Sequence, residues 1–124
     1  MSKFVLRRIA SGYKFDLHAA NGQTIASSEV YATRAACLKG IESVRKAAPL
    51  APVEDLTEQG RTVSNPKFQL FLDKSGQFRF RLRSRNGKII AVSDGYLTGS
   101  GCENGIRSVR ENAPDAAVYE VSSE

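Results

Sequence analysis

The sequence is poor in nearly everything that marks a catalytic or membrane protein. No apolar run approaches the roughly 18 residues of a membrane span, so no helix is expected to cross a bilayer. The opening Met1-Ser2-Lys3-Phe4-Val5-Leu6-Arg7-Arg8 has an apolar run of only three residues before its paired arginines. It is not read as a secretory leader, and a cytoplasmic location is expected. Cysteine occurs only at 37 and 102 and histidine only at 18. Paired metal-ligand spacing is therefore missing, and neither zinc nor any other metal or cofactor is expected. A disulfide between two such distant positions is not expected in a reducing compartment.

The remaining candidates for chemistry are few. A Cys–His nucleophile pair would need an exposed thiol beside His18. The carboxylates Asp16, Glu29, Glu42, Asp94 and Glu103 are scattered, with no pair forced together for acid–base work. The glycine-rich Gly99-Ser100-Gly101-Cys102-Glu103-Asn104-Gly105 lacks the lysine of a phosphate loop. No catalytic residue is assigned, and an enzyme is not expected. The one exception would be a reactive Cys37 or Cys102.

What the sequence does have is a repeat. Tyr13 to Val53 aligns with Phe78 to Val118 at a constant offset, with roughly 19 of 41 positions identical. A unit of this size is marginal alone, so the two copies are expected to fold as one compact body. The expected boundaries are 1–58 for the first repeat, 59–66 for a linker and 67–124 for the second.

Each copy opens with period-2 alternation: Phe4 and Leu6, then Tyr13, Phe15 and Leu17, against Phe68, Leu70 and Leu72, then Phe78, Phe80 and Leu82. This spacing predicts strands with one buried face. Asn21-Gly22 and Asn86-Gly87 predict hairpin turns, followed by third strands at Ile25–Ser28 and Ile90–Ser93. Thr33 and Thr98 are N-cap candidates. Cys37, Ile41, Val44 and Ala48, like Cys102, Ile106, Val109 and Ala113, form one helical stripe. This pattern predicts both thiols to be buried and inert. Pro49 and Pro114 end the helices. Short apolar segments follow, so each unit reads β-β-β-α with room for a further strand. Close helix–sheet packing is expected at the mid-helix Gly40 and Gly105.

Several of these segments are distinctive: Phe80-Arg81-Leu82, Asn86-Gly87, Ile90-Ala91, Ser93-Asp94-Gly95-Tyr96 and the run Glu103–Pro114. They closely resemble the YegP-like family of small bacterial and archaeal proteins, and the second copy is the nearer match. The resemblance covers both copies. It implies an α+β fold of two tandem β-β-β-α(-β) repeats related by a pseudo-two-fold, on one antiparallel sheet with helices on one face. It also implies that the C-terminal strands are exchanged between repeats. It implies no catalytic residue and no ligand.

The net charge is +5. Residues 3–49 and 67–114 carry +5 each, the connector 50–66 carries −2 and the tail 115–124 carries −3. Basic repeats attract polyanions. The sharpest lead is the polar phase of the strand Phe78–Leu82. Arg79, Arg81, Arg83 and Arg85 alternate with its apolar residues, Lys88 follows the turn, and Phe71 occupies the outward phase next door. Cations with an aromatic on an open sheet face suit single-stranded nucleic acid. The expected function is thus a non-enzymatic binding module for nucleic acid or another polyanion. The alternative is a protein-interaction module that meets an acidic partner and has no nucleic-acid role. No membrane or metal partner is expected, and internal duplication favours a monomer.

Overall fold

The computed structural model describes residues 1–58, 60 and 62–121. The predicted linker residues Gln59 and Arg61 and the final three residues lie outside this description. The elements run β1 (Lys3–Ile9), β2 (Gly12–His18), β3 (Thr24–Ser27), α1 (Arg34–Ala47), β4 (Val53–Asp55), β5 (Lys67–Leu72), β6 (Phe78–Arg83), β7 (Ile89–Val92), α2 (Gly99–Asn112) and β8 (Ala117–Val121). A 3-10 turn at Ala113–Asp115 links the last two.

Local sequence accounts for most of these boundaries. The β2–β3 and β6–β7 turns carry Gly22 at φ 87° and Gly87 at φ 86°, a conformation open to glycine at little cost. Thr33 accepts from the Ala36 N–H at 3.0 Å and Thr98 from the Gly101 N–H at 3.0 Å, so both helices begin on a side-chain cap. Gly40 and Gly105 sit where a Cβ would come within 2.3 Å of the Tyr31 and Tyr96 hydroxyl oxygens respectively. Each helix thus accepts a tyrosine side chain in the space a side chain of its own would fill.

All eight strands join one sheet in the order β4-β5-β6-β7-β3-β2-β1-β8. The hairpin pairs are antiparallel, and β3 meets β7 antiparallel at the centre through Ser27 and Val92. The outermost pairs differ: β4 lies parallel to β5, and β8 lies parallel to β1. The sheet is therefore mixed, which corrects the expectation of an antiparallel one. Hairpins impose antiparallel pairing, but β4 and β8 arrive by longer connections that permit the parallel arrangement.

One buried cluster unites the apolar stripes of both helices with Phe4, Leu6, Phe15, Leu17, Phe68, Leu70, Phe80 and Leu82. Tyr13 and Phe78, expected in the core, are only half-buried at its margin. Each lies at the start of its strand, first or second in it, and bridges the loop tyrosine opposite it, Tyr31 or Tyr96. That position leaves part of the ring in solvent.

Two arginines tie the helices to the segments that lead into β4 and β8. Arg110 of α2 donates to the Ala51 carbonyl at 2.5 Å, with its guanidinium 5.3 Å from the Phe68 ring centre. Arg45 of α1 donates to the Ala116 carbonyl and lies 5.4 Å from the Phe4 ring centre. Each helix thereby holds the strand that follows the other helix.

Candidate polyanion interface on the outer sheet face

Residues alternating with the core project from the opposite, outer face. Paired positions carry one row across the whole sheet: Glu54, Gln69, Arg81, Val92, Ser27, Asp16, Val5 and Tyr119. The two halves of this row differ in charge. On β6 Arg81 stands where β2 has Asp16, and on β5 Phe71 stands where β1 has Arg7.

In the second-repeat half, three guanidiniums share the face and each is anchored through Nε. Arg79 donates to Asp73 Oδ2 at 2.6 Å. Arg81 and Arg83 both donate to Gln69 Oε1 at 2.7 Å. Arg79 Nη1 also reaches the Ser93 carbonyl at 3.3 Å, and Arg83 Nη1 the Gly87 carbonyl at 2.7 Å. Among the described residues, both Nη groups of Arg81 and one each of Arg79 and Arg83 have no protein acceptor. The three arginines occupy alternate strand positions, about 6.7 Å apart along β6.

A second layer fixes these anchors. The Gln69 amide donates to Glu54 Oε1 at 2.7 Å, which turns its own oxygen toward the arginines. Glu54 also accepts from the Val63 N–H at 2.8 Å and pairs with Lys67 Nζ at 3.0 Å. The Gln69 amide, then the Val63 N–H and Lys67, hold the Glu54 carboxyl down to about 2. The Ser75 hydroxyl and then the Arg79 guanidinium hold Asp73 well below the usual carboxylate range. Burial, and secondarily the like charge of Arg83, lower the Arg81 pKa. The Arg81 guanidinium lies 4.6 Å from the Phe71 ring centre, so the aromatic supports the cation from beneath.

The structure brings Arg79, Arg81, Arg83 and Phe71 together, but not the other two candidates. β6 ends at Arg83, because the Ser84 N–H and the Lys88 carbonyl close the turn at 2.9 Å. Arg85 lies exposed in that turn, beside a cleft of about 450 Å³ that Ser43, Lys46, Leu50 and Pro66 help to line. Lys88 places its ammonium 5.3 Å from the Tyr31 ring centre. Tyr31 stacks on the core residue Phe15, so Lys88 leaves the outer face.

On the first-repeat half Lys3, Arg7 and Lys14 share the outer phase with one carboxylate, Asp16. Arg7 pairs with the buried Asp16, which also accepts from Ser27 Oγ at 2.6 Å. His18 is half-buried, and burial, followed by the charges of Lys3 and Arg7, lowers its pKa. The thiols of Cys37 and Cys102 are fully buried, and burial pushes both up to about 11. Among the described residues no group of three His, Cys, Asp or Glu side chains converges, and no helix is long and apolar enough to cross a membrane.

Sequence reasoning missed Glu54, Gln69 and Asp73, which orient the arginines. Asp73 was the accessible one: a turn aspartate next to the hairpin that carries Arg79. Gln69 and Glu54 come from strands distant in sequence, and nothing local ties them to β6.

The fold and this face define a two-repeat α+β protein built on a single mixed sheet. The profile of a family described as a domain of unknown function, DUF1508, matches residues 10–55 and again 73–120. The chain belongs to this family, which is also called UPF0339 and includes the YegP proteins. A UPF0339 protein of Pseudomonas aeruginosa is 32% identical over 98% of this chain and 98% of its own length. A UPF0339 protein of Treponema denticola is 58% identical over 55 residues, which are 44% of this chain and 95% of that protein. That relative has the length of one repeat. The solution NMR structure of YegP from E. coli superposes with a TM-score of 0.81 at 29% identity, covering 99% of this chain and 95% of that one.

Proposed function

We propose that this protein is a small non-enzymatic binding module whose outer sheet face takes an extended single-stranded nucleic acid. In this reading residues 1–58 and 67–124 act as one unit about a pseudo-two-fold. Their exchanged strands stiffen the sheet, and helices on one face leave the other open. The phosphodiester backbone follows β6, and the Nη edges of Arg79, Arg81 and Arg83 meet successive phosphates. Arg81, supported on Phe71, also offers a planar surface on which a base can stack. The observation that carries the reading is the anchoring of all three Nε groups. It orients the guanidiniums before a ligand arrives and lowers the ordering cost of binding.

The test is binding of fluorescent random single-stranded RNA and DNA across a salt series. The parent should bind with a steep salt slope. In Arg79→Ala/Arg81→Ala/Arg83→Ala the slope should fall by about 2, close to 0.7 per lost phosphate contact on a single strand. A triple variant that binds as the parent does, or a parent that does not bind at low salt, refutes the reading. In the second case an acidic protein partner becomes the reading to test.

A further inference from the structure

The two edges of the sheet come from equivalent segments, yet they are finished differently. β4 has three residues, Glu54 on it is buried, and the chain beyond it folds back. The Val63 N–H bonds Glu54, and the Val63 carbonyl takes Lys67 Nζ at 2.8 Å. β8 has five residues, exposed at every position. Val118, Tyr119 and Val121 retain 36%, 52% and 44% of their surface. Among the described residues no strand lies on the far side of β8.

Exposed edges are normally blunted by charged side chains, above all lysine, by proline, by a bulge or by brevity. Ala117-Val118-Tyr119-Glu120-Val121 has no lysine, proline or bulge and one charge, Glu120, on the phase of core Leu6, and valine and tyrosine favour strand pairing. Its single charge is already matched: Glu120 meets Arg34 Nη2 at 2.7 Å and Nε at 2.8 Å. The edge therefore offers unpaired backbone groups on a nearly neutral strand.

We infer that β8 pairs antiparallel with β8 of a second copy of this chain, across a two-fold axis that passes beside Tyr119. This register sets Tyr119 against its own counterpart, Val118 against the counterpart of Glu120, and Ala117 against the counterpart of Val121. No like charges on β8 itself face each other, and the two Tyr119 side chains, each 52% exposed, become a cross-strand aromatic pair. Lys3 Nζ, 5.3 Å from the Tyr119 ring centre, is a cation bordering this edge, while β8 itself contributes one charge, Glu120, already paired with Arg34; the strand therefore complements itself better than it does a strongly charged peptide. One strand pair buries little surface, so the dimer is weak and concentration-dependent. The two-fold is perpendicular to the sheet and sets both outer faces on one side. The inference stands whether or not the arginines bind nucleic acid.

Sedimentation equilibrium on the full chain from about 10 µM to about 1 mM tests it. The parent should associate reversibly to a dimer. Tyr119→Lys and Tyr119→Glu each set like charges opposite one another and should raise the apparent Kd at least about tenfold. An equimolar mixture of the two should associate again, because lysine then faces glutamate. Amide NMR spectra of each variant should match the parent away from β8. A parent that stays monomeric over the whole range refutes the inference, as does a Tyr119→Lys chain that dimerises like the parent. A mixture that fails to recover association also refutes it.

Discussion

Replacing Arg110 with methionine should loosen β4 before anything else. The aliphatic stem survives this change. The charge-assisted bond to the Ala51 carbonyl and the guanidinium over Phe68 are lost. A hydrogen bond to a charged group contributes about 1.5–3 kcal/mol. A partly desolvated cation over an aromatic ring adds about 0.5–2 kcal/mol. Methionine recovers part of the packing on Phe68, so the net loss should be about 2–3 kcal/mol. For a chain of this length that is about 10 °C in Tm. Urea denaturation gives the global loss, and amide hydrogen exchange gives its location. Protection should fall first in Val53–Asp55 and in the Phe68 amide, which donates to the Pro52 carbonyl at 2.8 Å. A loss under about 0.5 kcal/mol, within the range of ordinary surface substitutions, would refute the reasoning. So would a loss of protection that spares β4.

Two further predictions concern ionisation. Glu54 has a folded-state pKa of about 2, depressed from the ordinary 4.5, so its contribution to stability is fully present above the ordinary value and is lost as pH falls toward 2. Glu54→Gln should flatten the acid limb of the stability curve between about pH 5 and pH 2, measured by urea midpoints; an unchanged limb would show that this carboxylate is not held as described. Cys37 and Cys102 should react with a thiol reagent at pH 8 only as fast as the protein unfolds, because both are buried with thiol pKa raised to about 11. Rapid native-state labelling of either would reopen the case for a reactive cysteine.

Features set by neighbours in the sequence were legible in it. Thr33 and Thr98 cap their helices, the cysteine-led stripes are buried, and the Asn-Gly turns sit where expected. Each depends on contacts within a few residues. Period-2 alternation likewise placed Arg79, Arg81 and Arg83 on one face. It failed at Arg85 because alternation does not say where a strand stops; the Ser84–Lys88 closure does. Nothing local in Ala51-Pro52-Val53 or Ala116-Ala117-Val118 says which strand each will lie beside, or in which direction. The same holds for Glu54 and Gln69, whose roles exist only once β4, β5 and β6 are adjacent. Those partners are set by loop closure over long stretches of chain, which leaves no periodic trace.

The parallel pairing of β1 with β8 also has a mechanical meaning. Lys3 lies opposite Ala117 and Arg7 opposite Val121. A pull applied at Lys3 and at Val121 in opposite directions therefore acts along the two strands. It cannot peel them apart one rung at a time, and every hydrogen bond between them is loaded together. A molecule stretched between its first and last strands should resist as a clamp and then yield in one step. A pull on a β2–β3 or β6–β7 hairpin would instead unzip it at far lower force.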